Sequence, residues 1–361
     1  VEFILALIGP AAVAVFAKLY FKQEISKRET LAQIAIGIGF GFMVSVLIAM
    51  GQLHDNEYVT GQVINKHRDN DSYEESYDCN CRTVTSGSGD SKTTSTVCDT
   101  CWKTIYTVDW YLSSTVGRIA INSRESESQQ VWIAPNPQAW IDAKIGEACT
   151  TARSYQNYIL ASPDSLFNSS EYGNNEFAVP GYPRMHSIYK MKHALTVDGA
   201  IPNSAEWTEQ IREHLKIRNA NSSPNVLFVF TKSTDRTFKY ALERNWTGGK
   251  KNDLIVVIGT ANYPNANWTE VITLGKTSGN ELTAVKIRDI VEDHHLDPQV
   301  TVKNVFSMID KHFDMKPISD FEYLKDEQQM TLWQALAVVF ASIIVSIIVS
   351  YIFSRNALRS K

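Results

Sequence analysis

The hydrophobic pattern of this chain has three regimes. Val1 to Phe21, Thr30 to Leu53 and Thr331 to Phe353 are long apolar runs, and the last two carry no Asp, Glu, Lys or Arg. Runs of this length match a hydrocarbon core of about 30 Å at about 1.5 Å per residue, so the pattern predicts three membrane-spanning helices. In the middle of the chain the period shortens. Tyr58 to Lys66 alternates as a strand does, and Lys103 to Ile121 reads as two more strands joined at Ser113-Ser114 or at Gly117. From Ile201 to Tyr323 helical and strand periods take turns. Pro202-Asn203-Ser204 caps a helix over Ala205 to Arg218 with Trp207, Ile211 and Leu215 on one face. Asn225 to Phe230 and Leu254 to Ile258 are uninterrupted apolar strands around a helix at Thr234 to Trp246. A shorter strand at Trp268 to Leu274 and helices at Thr283 to His295 and Val300 to Phe313 complete the unit. Continuous apolar strands flanking a helix mark a parallel sheet covered on both faces. The fold class this predicts is an α+β membrane protein: three transmembrane helices, an extracytoplasmic β-rich subdomain and an α/β sandwich.

Charge gives the expected orientation. The loop at residues 22–29 holds Lys22, Lys27 and Arg28, the tail at residues 354–361 holds Arg355, Arg359 and Lys361, and no Lys or Arg lies between Arg28 and Lys66. Because Lys and Arg stay cytoplasmic, loop and tail belong inside and the intervening body outside. The expected division is helix 1 at 1–21, cytoplasmic loop at 22–29, helix 2 at 30–53, a Cys-stapled β-rich subdomain at 54–125, an irregular connecting region at 126–200, the α/β domain at 201–323, helix 3 at 331–353 and a basic tail at 354–361. Within the connecting region, Gln138 to Arg153 reads as a helix containing Cys149, and Asn168 to Pro183 as loop. The localisation this predicts is integral to a bacterial inner membrane, with the main domain periplasmic and the lipid bilayer as a partner. A net charge of -4 argues against nucleic acid. Gly37 and Gly41 form a GxxxG, and Ser342, Ser346 and Ser350 recur every four residues, so both helices carry a stripe where another backbone can approach closely. Those stripes predict helix contacts, within one chain or between copies, and a homo-oligomer is the expected state. The interiors of the spans lack ionisable groups, which disfavours a pump or ion pathway.

Chemistry is concentrated in two places. Cys79, Cys81, Cys98 and Cys101 lie at the feet of a Ser/Thr/Gly-rich stretch. Two such pairs suit a four-thiolate Zn2+ site, although CxC is tighter than the usual knuckle, and they equally suit two disulfides on the oxidising side of a membrane. A thiol-dependent envelope factor working through Cys98 and Cys101 is a further reading. Asp289, Glu292 and Asp293 share one helix face at i, i+3 and i+4, a spacing that could ligate a hard cation and serve a metal-dependent, phosphatase-like hydrolase. Gly248-Gly249-Lys250-Lys251 precedes a strand, whereas a phosphate loop sits between a strand and a helix, so it is not read as one. No nucleophile is tied by spacing to His186 or His193.

The strand VLFVF, the helix FKYALERNW, the turn Gly248 to Asp253, the strand LIVVI and the acidic helix at Ile287 to Glu292 together resemble the TPM domain, an α/β fold of membrane-anchored bacterial and thylakoid-lumen proteins. The resemblance covers residues 201–323. It implies metal binding or phosphatase activity, but no acidic site residue matches position by position, so no catalytic residue is carried across. In overall style the chain is similar to uncharacterised membrane proteins of tailed phages and bacterial envelopes. The function expected from all this is assembly or protein interaction at the cell envelope.

Overall fold

The computed structural model describes residues 2–20, 27–86, 93–161, 177–218, 224–273, 278–315, 317–327 and 330–355. Two helices, α1 (Glu2–Tyr20) and α2 (Lys27–Leu53), lead directly into β1 (His54–Ser86), β2 (Thr93–Ser114) and β3 (Gly117–Ser126). A 3-10 turn at Gln129–Ile133, α3 (Gln138–Asp142), β4 (Ala148–Gln156) and α4 (Tyr158–Ala161) follow. The next stretch holds β5 (Met185–Ser187), β6 (Lys190–Met191), β7 (Ala194–Thr196), α5 (Ser204–Lys216), β8 (Asn225–Thr231), α6 (Phe238–Asn245) and β9 (Asp253–Gly259). Then come β10 (Trp268–Thr273), α7 (Ser278–Glu292), α8 (Pro298–His312), a 3-10 segment at Ile318–Glu327 and α9 (Leu332–Arg355). Most of the loop at 22–29, most of the basic tail and the larger part of the loop at 168–183 lie outside the described residues.

Two helices, Lys27–Leu53 and Leu332–Phe353, are long and apolar enough to cross a membrane; the described apolar part of α1, Gly9–Leu19, is shorter. The three pack on one another. Gln33 Nε2 donates to the Ser346 carbonyl at 3.2 Å, and Gln52 Nε2 donates to Gln334 Oε1 at 2.6 Å, so α2 and α9 run antiparallel with their ends level. Gly37 and Gly41 are buried, as are Ser342, Ser346 and Ser350. A Cβ added to Gly37 would lie 2.5 Å from Ser346 Oγ and 2.7 Å from Pro10 Cβ, so only glycine lets α1 and α9 approach here. Gly37→Leu is therefore expected to cost about 1–3 kcal/mol through overpacking and to lower the thermal midpoint in detergent, while Gly39→Leu, where an added Cβ meets nothing, leaves the midpoint unchanged.

The β-rich unit is an antiparallel sheet in the order β3-β2-β1-β4. β1 spans 33 residues and changes partner along its length. His54 to Gln62 pair with β4, and from Val63 onward β1 pairs with β2 as far as Ser86↔Thr93. β3 joins β2 only between Ser114↔Gly117 and Tyr106↔Ser126. Past that point, among the described residues, β1 and β2 continue alone as a two-stranded arm of about 40 Å. The Ser/Thr/Gly-rich stretch between the cysteine pairs, which by composition reads as a loop, is strand at both ends, with residues 87–92 outside the described residues: Thr83 faces Thr96 and Thr85 faces Thr94 in the ladder. β-branched threonines suit a pleated, solvent-facing ribbon as well as a loop, which is why composition misled. The helix expected over Gln138 to Arg153 is also corrected. It stops at Asp142, Gly146 takes φ +83, and Cys149 lies in β4.

The second sheet has the order β10-β9-β8-β7, with β7, β8 and β9 parallel and β10 antiparallel at the edge. Every residue of β8 and β9 is buried, because α5, α7 and α8 cover one face and α6 with residues 177–185 covers the other. β7 falls within the region read as irregular. α7 begins at Ser278, ahead of the expected Thr283, and α6 begins at Phe238, behind the expected Thr234, because Asp235 first closes a turn onto the Thr237 amide at 2.8 Å.

Candidate functional site

The four clustered cysteines form two disulfides, Cys79–Cys101 and Cys81–Cys98. This overturns the zinc reading, since the thiolates a tetrahedral Zn2+ needs are consumed in cystines. Cys98 and Cys101 are bonded to different partners on β1, so the CxxC is not a dithiol pair of its own. The local geometry follows from a bulge: Cys79 faces Asp99 and Arg82 faces Val97, leaving one extra residue on β1, with Asn80 at φ +49. Cys98 and Cys101 are three apart on a strand, so the two cystines clasp opposite faces of the ribbon. On one face lie Tyr73 and Tyr77, 49% and 44% exposed, with Lys103 paired to Glu75 at 3.3 Å and to Glu127 at 2.8 Å. On the other, Trp102 is 66% exposed, opposite Ser76 in the inner part of the arm. The base of that second face is covered, because Trp132 Nε1 donates to the Thr107 carbonyl at 2.9 Å and Trp110 Nε1 to Asn136 Oδ1 at 2.8 Å.

The acidic helix end does not assemble as a cation site. The Glu292 carboxylate accepts from the Thr269 amide at 2.6 Å and pairs with Arg236 at 3.3 Å, so it caps the sheet edge. Asp289 lies 4.0 Å from Arg288 Nε, and the Asp293 amide donates to the Asp289 carbonyl in the last turn. Among the described residues no group of three or more His, Cys, Asp or Glu side chains could hold a metal ion.

A polar cluster that no local pattern announced fixes the root of the arm. Gly248 and Gly249 take φ +75 and +87, and the turn they make aims Lys250 at Asp55 Oδ1, 2.5 Å away, and Lys251 at Glu57, 3.2 Å away. Asp55 Oδ2 accepts from Asn157 Nδ2 at 2.8 Å and from the Tyr155 hydroxyl at 3.0 Å. Asp253, wholly buried, accepts from the Lys250 amide at 2.7 Å, from Asn225 Nδ2 at 2.8 Å and from the Tyr182 hydroxyl at 2.8 Å. Burial pushes the Asp55 carboxyl up, but hydrogen bonds from Lys250 and Asn157 and the Lys250 charge carry it below its ordinary value. For Asp253 burial wins over its donors, and its carboxyl rises to about 6. The cluster is a lock: two carboxylates and two lysines join the arm's root to the α/β unit.

The two aspartates have opposite pH signatures. A carboxyl whose folded value is raised binds protons more tightly when folded, so its contribution falls as pH climbs from about 4 to about 6, by about 3 kcal/mol. A depressed carboxyl such as Asp55 contributes fully above its unfolded value and loses that contribution as pH falls through the folded one. Asp253→Asn is accordingly expected to flatten the loss of thermal stability between pH 4.5 and pH 7 in detergent, and an unchanged slope would remove Asp253 as its source.

His186 is exposed in β5, whereas His193 and Cys149 are core side chains. His193 is buried with Nδ1 3.0 Å from the Val226 carbonyl, and burial drives its pKa down to about 4. Burial raises the Cys149 thiol to about 11, so it is an inert core side chain. A groove of about 520 Å³ follows the open edge of β10 between Tyr240 of α6 and Ala284 of α7. No protein-family model matches the chain, and comparison with curated proteins and with solved structures finds no match in either.

Proposed function

We propose that the chain is a membrane-anchored interaction protein whose body stands on the extracytoplasmic side and presents the cystine-clasped arm to an envelope partner. The observation that carries this reading is the arm itself. Among the described residues its outer strands pair only with each other, are fastened by two disulfides and expose Tyr73, Tyr77 and Trp102, while the rest of the body packs into buried apolar clusters. Disulfides persist in oxidising compartments, and exposed aromatics on a rigid ribbon are typical of protein contacts. The level ends of α2 and α9 support an anchor of three helices, with residues 27 and 355 on one side and the body on the other. The α/β unit is TPM-like in its order of strands and helices, and in this reading it serves as the platform that holds the arm's root. The small-residue stripes face one another within one chain, so the reading does not rest on a homo-oligomer. Native electrophoresis of solubilised membranes tests it. The full chain is expected to run in a complex larger than itself, and a chain whose residues 74–104 are replaced by a short turn to run alone; identical migration of the two would refute the proposal.

A further inference from the structure

The face of the arm's base that the 3-10 turn leaves open is strongly and asymmetrically charged. Asp69 and Asp109 are direct cross-strand partners, and one row further out Asp71 and Glu125 flank Thr107 on its two sides. Strand alternation puts all four carboxylates on the face that carries Tyr73 and Tyr77. Two hydrogen bonds agree with that placement, from the Tyr111 hydroxyl to Asp69 Oδ2 at 2.8 Å and from the Tyr73 hydroxyl to Glu125 Oε2 at 3.4 Å. Like charges directly opposite each other destabilise a sheet, so this pairing opposes the fold that bears it. Two cations share this face but do not pair with the four carboxylates: Lys103 is taken up by Glu75 and Glu127, and Arg118 lies over the Tyr111 ring at 3.6 Å. Among the described residues none of the four belongs to an ion pair, and the face stays net acidic.

Building on the interaction reading above, we infer that this face of β1, β2 and β3 docks a lysine- and arginine-rich protein surface. Charge complementarity selects the occupant. Nucleic acid and anionic lipid headgroups are repelled by four carboxylates that have no ion-pair partner among the described residues, and a second copy meeting the same face would bring like charge against like. A basic protein surface instead supplies counter-charges, and its cations can also sit over the exposed ring of Tyr73. Ladder pairing of β2 to both β1 and β3 and the covered opposite face hold the patch flat and in place, which limits the entropy lost on docking.

A zero-length carbodiimide applied to native membranes joins carboxylates to lysine amines in direct contact and so reads this contact. Peptide mapping is expected to find Asp69, Asp71, Asp109 or Glu125 joined to lysines of another protein at least tenfold more often than Glu74 and Asp78, which point to the opposite face. A quadruple variant, Asp69→Asn, Asp71→Asn, Asp109→Asn and Glu125→Gln, is expected to lose the larger complex on native electrophoresis while keeping both disulfides and the arm's hydrogen-exchange protection. If the complex needs residues 74–104 yet survives the quadruple variant, the interaction reading stands and the charge inference falls. Should the complex survive both the deletion of residues 74–104 and the quadruple variant, both readings fall together. Equal cross-linking of the two faces would also overturn the inference.

Discussion

Serine at Cys79, Cys81, Cys98 and Cys101 together is expected to melt the outer arm and leave the rest of the chain folded. A two-stranded ribbon with no third strand and no core is marginal in water on its own. The bridges close separations of 22 and 17 residues, and in the loop-entropy account each is worth about 3 kcal/mol, less than additively because one loop lies inside the other. Among the described residues no buried cluster includes one outward of Tyr73, so nothing else on that scale holds the outer arm. Hydrogen exchange in detergent checks this. Amides of Tyr77, Thr83 and Thr100 should lose protection at least a hundredfold in the variant, whereas those of Leu227 and Val256 in the α/β sheet keep theirs. Retained protection in the arm would mean that strand pairing alone suffices and that the cystines serve some other end.

Valine at Gly259 is expected to cost the α/β unit more than any surface change. Gly259 is the cross-strand partner of Trp268, whose indole lies flat over the glycine and donates from Nε1 to the Ser233 carbonyl at 2.9 Å. An added Cβ would overlap the indole Nε1 and Cε2, and Trp268 is itself buried among Phe238, Leu242 and Val257. The ring cannot move without losing its hydrogen bond and opening the α6 side of the core, a cost of about 3–5 kcal/mol by the measure of strained or emptied aromatic sites. Denaturant midpoints test the mechanism through a pair. Gly259→Ala alone should lower the midpoint strongly, and adding Trp268→Leu should restore part of it. A double variant no better than the sum of two losses would show that the glycine acts by some other route.

How much of this could be read from the residues depends on the range of the interactions that decide it. The strands around Phe228 and Val256 are legible because burial on both faces leaves an unbroken apolar run, and the Asn203 cap, whose side chain accepts from the Glu206 amide, is a local signal. The arm was hidden because Thr83, Thr85, Thr94 and Thr96 carry the composition of a loop; their strand pairing is a matter of register between distant segments. Cysteine spacing served zinc and cystine equally, and only the bulge at Cys79 to Arg82 decides which thiols meet. The lock between Asp55 and Lys250 joins positions 195 apart, so neither residue had a neighbour in sequence to reveal it. Glu292 shows the reverse: its helical spacing suggested a ligand, and the free amide of an edge strand claimed it.

Proteolysis of right-side-out spheroplasts is the most direct test of the central claim, that the body and its arm stand outside a membrane crossed by α2 and α9. Added protease should cut the chain between residues 54 and 330 in intact spheroplasts, leaving fragments that carry α2 and α9 in the membrane, and non-reducing mass analysis of the untreated chain should show both arm cystines. A body left whole until lysis, with four free thiols in the arm, would contradict the account.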